Sequence, residues 1–173
     1  MAISLYDISA ASYLQMLSGV LGFVEKGRSH FESKGTDLKQ VVETRLHPDM
    51  LPFRFQLVSV AHHSLGALKA LESGVFGPPS GVPELDYAGL QKLVEDARAG
   101  VQQHSRDAVN AREGKDVVFQ IGERKMPFTA EGFVLSFSLP NLYFHAATAY
   151  DILRMKGVPL GKRDFLGPPR LKA

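Results

Sequence analysis

Residues 139–167, LPNLYFHAATAYDILRMKGVPLGKRDFLG, decide the fold. Apolar side chains fall on nearly every helical face from Leu139 to Met155, a pattern that predicts a helix buried on all sides. Gly157 and Pro159 stop it, because one favours the turn that ends a helix and the other cannot continue one. Three residues do not suit such a core: Pro140, Asn141 and His145. Proline at 140 removes a backbone N–H and frees the carbonyl of Ser136, so the helix must bend or divide there. A side-chain amide such as that of Asn141 can satisfy a freed carbonyl. A long apolar rod holding a few polar atoms is where a helical bundle keeps a site.

Upstream, the same periodicity yields three more rods. Ser4 and Asp7 have capping-box spacing and open a helix running to about Ser33. Its stripe is Leu14, Leu17, Leu21 and Val24. Asp37 to Thr44 forms a short connecting helix. Pro48 suits the first turn of a second long helix that ends near Ser73, with Leu57, Ala61, Leu65 and Leu68 inward. Gly74 to Val82 is a short Gly/Pro loop, which makes the second and third helices neighbours. The third runs from about Glu84 to Val109 on the stripe Leu90, Leu93, Ala97, Val101, His104 and Ala108. Val117–Ile121 and Met126–Thr129 flank Gly122–Lys125 as a small β-hairpin. The fourth helix spans Ala130 to Lys156, and an extended tail follows. The fold class is therefore all-α: one domain over residues 1–173, a four-helix bundle with a hairpin in the helix 3–4 connection.

Composition narrows the function. A net charge of +2 offers no basic surface for nucleic acid. The chain lacks cysteine, so thiolate catalysis and disulfides are excluded and any metal needs His or carboxylate ligands. That absence fits a cytoplasmic protein. No apolar run reaches the ~18 residues of a membrane span, and the first basic residue is Lys26, unlike a signal peptide. The phosphate-loop, dinucleotide, His-Glu-x-x-His and Gly-x-Ser-x-Gly motifs are missing.

Five segments in this order, PDMLPFRFQ (48–56), IGERKMPFTA (121–130), PNLYFH (140–145), TAYDILR (148–154) and GVPLGKRDFLG (157–167), resemble the bacterial family called domain-of-unknown-function 1993, within the DinB/YfiT-like group. The resemblance covers almost the whole chain. It implies a DinB-like four-helix bundle and a homodimer, and it carries no reaction. Metal-binding members of the wider group place one histidine on the second helix and a His-x-x-x-His pair on the fourth. The matching positions here are His62 and His145. The pair is broken, since Asn141 precedes His145 by four and Ala149 follows it by four.

Each candidate has two readings. His145 is a catalytic acid/base or a ligand for a divalent zinc or nickel ion, or else a neutral core imidazole bonded to a buried acceptor. His62 and His63 point about 100° apart on a helix. His62, beside the Val58–Leu65 edge, is the one expected to face inward and serve as the second metal ligand. His104 is a third ligand or a core histidine. Asn141 and Tyr150 line the pocket, or respectively cap a carbonyl and pack in the core. Asp151 adds a carboxylate to the pocket, or pairs with Arg154 or with Lys162 or Arg163 of the tail. The tail folds back with Phe165 and Leu166 against one bundle edge, or meets a second subunit. The expectation is a cytoplasmic protein that binds or transforms a small molecule in a pocket between helices 2 and 4. The alternative is a non-catalytic dimer acting as a ligand-binding or interaction module.

Overall fold

The computed structural model describes residues 3–79, 81 and 83–172. Ser4 and Asp7 form the capping box that their spacing predicts and open α1 (Leu5–Ile8). The single long helix predicted from there is divided at Ser9, whose backbone leaves the helical region at φ −104° and ψ −91°. Its hydroxyl donates to the Leu5 carbonyl, and α2 (Ala10–Ser33) then runs unbroken. Tyr13, Leu17, Val20, Val24 and Phe31 of α2 are buried. α3 (Leu38–Val42) is the short connecting helix, capped by Asp37.

The second rod begins at α4 (Phe53–Ala61), with Pro52 rather than Pro48 standing before its first turn. Both prolines satisfy the same local preference, and the apolar run that pulls the helix into the core starts only after the later one. A π-turn over His62–Gly66 follows, then α5 (Ala67–Ser73), with helical dihedrals at both junctions. Gly74 ends the rod at φ +76°. Beyond it, where the sequence predicts a plain loop, Val75–Phe76 form β1. Ser80 and Val82 of that predicted loop lie outside the described residues.

The third rod is also divided. α6 (Tyr87–Gln102) starts at an Asp86 cap, and Ser105 caps a separate α7 (Arg106–Asn110). β2 (Asp116–Ile121) and β3 (Arg124–Thr129) make the predicted hairpin, turned at Gly122 with φ +56°. β1 joins β2 in parallel, with Phe76 opposite Phe119, so the small sheet has three strands in the order β1-β2-β3. The all-α expectation is thus corrected to a mostly helical chain with a three-stranded sheet. A two-residue strand paired with a distant partner leaves no periodic trace.

The fourth rod comprises α8 (Ala130–Phe133), a second π-turn over Val134–Ser138, and α9 (Leu139–Met155). α2 packs on α6 and α9, and α4 packs on the same two. Leu142, Ala146, Ala149, Ile152 and Leu153 face this core and are buried, each large one stabilising the fold by about 1.5–3 kcal/mol relative to exposure. The expectation of burial on all sides fails on the outer flank, where Phe144 is 57% exposed. Apolar composition fills both faces of α9, but only one has neighbours.

The tail is not simply extended. α10 (Lys162–Leu166) lies along α2, held by a Lys26–Asp164 ion pair, by Phe165 against Tyr150, and by Gln15 donating to the Leu166 carbonyl. The approach is close enough to need glycine on both sides. A Cβ on Gly19 would stand 2.5 Å from the Phe165 carbonyl, and one on Gly167 would stand 2.4 Å from that of Gln15.

Candidate functional site

A π-turn inserts one residue into an α-helix and turns the following side chains to new directions. Both π-turns among the described residues sit at the contact between the second and fourth rods. Pro140 explains one of them. In a regular helix its ring would strike the carbonyl four residues back, that of Ser136, and the Val134–Ser138 turn immediately before it widens that stretch. Asn141 donates to the Phe137 carbonyl at 2.7 Å, not to that of Ser136. It is occupied within its own helix. Across the interface, the Ser138 hydroxyl donates to the His63 carbonyl at 2.7 Å. Because that proton is committed, the buried Tyr13 hydroxyl must donate to Ser138, 2.8 Å away. Burial raises the Tyr13 pKa, which keeps the phenol protonated.

The imidazole that faces the fourth rod is that of His63, not His62. His63 is 8% exposed and stacks on His145 with ring centroids 5.9 Å apart and 14° between planes. Its Nδ1 is buried without a hydrogen bond among the described residues. His62 is half-buried and stacks instead on Phe76 at 4.4 Å, with its Nε2–H donating to the Gly77 carbonyl at 2.8 Å. The two neighbours touch at 5.4 Å. The assignment of His62 as inward assumes a regular helix, and the π-turn starting at His62 removes that assumption.

Gln56 sets the state of His145. Its amide nitrogen donates to the Leu51 carbonyl, 2.8 Å away, which leaves Oε1 as an acceptor. His145 Nδ1 lies 2.8 Å from Oε1 and therefore carries the proton. The remaining nitrogen, Nε2, holds a lone pair. Burial lowers the His145 pKa to about 4. Burial, with His62 and His145 as neighbours, lowers that of His63 to about 3. All three rings are neutral near pH 7, since burial also depresses His62. Gln56 is a residue that sequence reasoning misses, although the signal is there. It is a carboxamide seven positions before His63 on the apolar face of α4, and it is 2% exposed.

The remaining candidates do not join this cluster. Tyr150 packs edge-on against Phe23 and Phe165 near the tail. His104, just past the end of α6, donates to the Gly100 carbonyl of that helix and lies 3.5 Å from Glu72. The tail is paired through Asp164 rather than Asp151. No group of three His, Asp or Glu side chains among the described residues is placed to share an ion. Catalytic zinc takes three protein ligands and structural zinc four. With fewer than three such donors converging on any one point among the described residues, the donor set does not fit a resident zinc or nickel ion.

A cleft reached by His62 lies elsewhere than between helices 2 and 4. It has a volume of about 540 Å³ and opens between α4–α5, the segment after β1, and α6. Val58, Leu65, Phe76 and Leu93 line it, and His62 is the histidine it reaches. Asn141, His145 and Tyr150 are not in its walls. Phe76 is shared between cleft and cluster. Its other neighbours, Phe119, Phe133 and Phe137, tie the small sheet to the second π-turn.

No helix among the described residues is long and apolar enough to cross a membrane. No curated protein matches the sequence. Among solved structures, the fold is similar to the crystal structure of a DinB family member protein from Shewanella denitrificans. That likeness has a TM-score of 0.78 and 24% identity over 98% of this chain and 95% of the other. It extends from the first rod to the tail. The model of the domain of unknown function DUF1993 matches residues 5–166, and the chain belongs to that family.

Proposed function

We propose that this protein binds a small molecule in the cleft at His62. The observation that carries the reading is the cleft itself. Its volume falls in the range of small-molecule sites, its walls are largely apolar, and a single imidazole converges on it. Binding suits the site better than acid–base catalysis. A general base works best with a pKa near the operating pH, whereas burial holds that of His62, the imidazole of the cleft, below its ordinary value. Neither reading needs a metal. A ligand-observed NMR screen of small apolar compounds against the wild type and Ala61→Trp tests the proposal, because the indole fills the cleft from α4. Hits should vanish in the variant while the melting temperature holds. Hits that bind both proteins equally would place the site elsewhere and end the proposal.

A second reading rests on a separate observation. Tyr143, Phe144 and Met155 stand 42%, 57% and 53% exposed on the outer flank of α9. An apolar flank of this kind suits a homodimer contact. Sedimentation should give a dimer for the wild type and a monomer for Phe144→Glu; a monomeric wild type would refute it.

A further inference from the structure

We infer that the cleft is built for a compact apolar molecule bearing a neutral hydroxyl, of phenol or alcohol type, and that His62 Nδ1 accepts a hydrogen bond from that hydroxyl. The inference rests on the reading of the cleft as a ligand site and adds the class of ligand.

The argument starts from the His62 ring. A carbonyl can only accept, so the contact from Nε2 to the Gly77 carbonyl fixes the proton on Nε2. Nδ1 is then a bare acceptor, and no described residue donates to it. Stacking on Phe76 holds the plane of the ring, so this edge cannot swing away. The residue beside Nδ1 is Gly66, one turn on and also in the cleft wall. A Cβ built there would stand 3.2 Å from Nδ1 and 3.7 Å from Phe76. Glycine is not required by the backbone, because φ −60° and ψ −37° are ordinary helical values. What glycine does is leave the lone pair open to the cleft.

The charges around the cleft favour a neutral partner. A carboxylate has no proton to offer Nδ1. Lys69 is exposed in the wall, where water screens it. Asp96, the acidic residue of the lining, is exposed beside Lys92 on the same helix, so water and that lysine weaken its pull on an ammonium group. The apolar body of the ligand would lie against Val58, Leu65 and Leu93.

Three probes share a tolyl ring and differ in one group: p-cresol, toluene and p-toluate. Dissociation constants come from amide shifts of cleft residues in ¹H–¹⁵N spectra of the full chain. In the wild type p-cresol should bind about tenfold more tightly than either analogue, the worth of one neutral hydrogen bond. The Nδ1 nitrogen resonance of His62 should move upfield as p-cresol is added. In Gly66→Ala, p-cresol should fall to the level of toluene while the helical circular dichroism is kept. The wild-type comparison and the nitrogen shift stand even if that variant folds poorly. Equal binding of p-cresol and toluene, or tightest binding of p-toluate, overturns the hydroxyl assignment and leaves the cleft as a ligand site. Absence of any shift in cleft residues with all three probes overturns both readings.

Discussion

Gln56 shows how one buried amide can decide what a distant imidazole does. Held by the Leu51 carbonyl, it can only accept from His145, so that ring has one tautomer and one open nitrogen. Replacing the amide by a carboxylate, Gln56→Glu, would place a negative charge against Nδ1–H and favour the imidazolium. The His145 pKa should rise from about 4 by at least one unit, read from its ring proton shifts. The stacked pair also sets an acid limit on stability. Unfolded imidazoles protonate near pH 6.5, whereas folded His63 and His145 stay neutral down to about 3 and about 4. Within that window the unfolded chain binds more protons. Stability is therefore fully present above pH 6.5 and falls with pH toward 4, by up to about 1.4 kcal/mol per unit for each ring. Urea melts of wild type and His63→Phe across pH 4–7 should show a shallower loss in the variant. Of these residues, His145 is legible from sequence as a polar break in an apolar run. His63 is not, because choosing between adjacent histidines requires knowing the local helical pitch.

At the scale of elements, the two π-turns are the device that brings the second and fourth rods into register. They are fastened by one hydroxyl, since Ser138 joins Tyr13 on α2 to the His63 carbonyl. Ser138→Ala removes the shared partner and should cost about 1–3 kcal/mol for each buried group left unpaired, measured by chemical denaturation. Pro140 announces the disturbance in the fourth rod, and the sequence locates it correctly to within one turn. The matching disturbance in the second rod has no such herald. His-His-Ser-Leu-Gly is compatible with an ordinary helix, and the wider turn pays off only in the partner it meets. The hairpin is legible because its strands are adjacent and turned by glycine. β1 is not, because its hydrogen bonds go to a strand on the far side of α6 and α7.

For the molecule as a whole, the periodic stripes foretell which rods exist, while the caps at Asp86 and Ser105 and the break at Ser9 trim their lengths. The cleft escapes a one-dimensional reading altogether. Its walls come from α4, α6 and the segment after β1, which only the packed molecule assembles. The tail is half legible: its return to the bundle follows from Phe165, but its path along α2 depends on the Gly19–Gly167 approach. Gly167 sits at φ +63° and ψ −167°, a region that side chains avoid. Gly167→Ala should therefore release α10 rather than unfold the rods. Hydrogen exchange should quicken at Asp164–Leu166 while the amides of α9 keep their protection.

That clasp has a consequence for biosynthesis. α2 leaves the ribosome well before α10, and its glycine-bearing side waits for that later strip of chain. Until Gly167 emerges, that flank is bare, and a nascent polypeptide arrested before it would offer chaperones a groove which the finished protein hides.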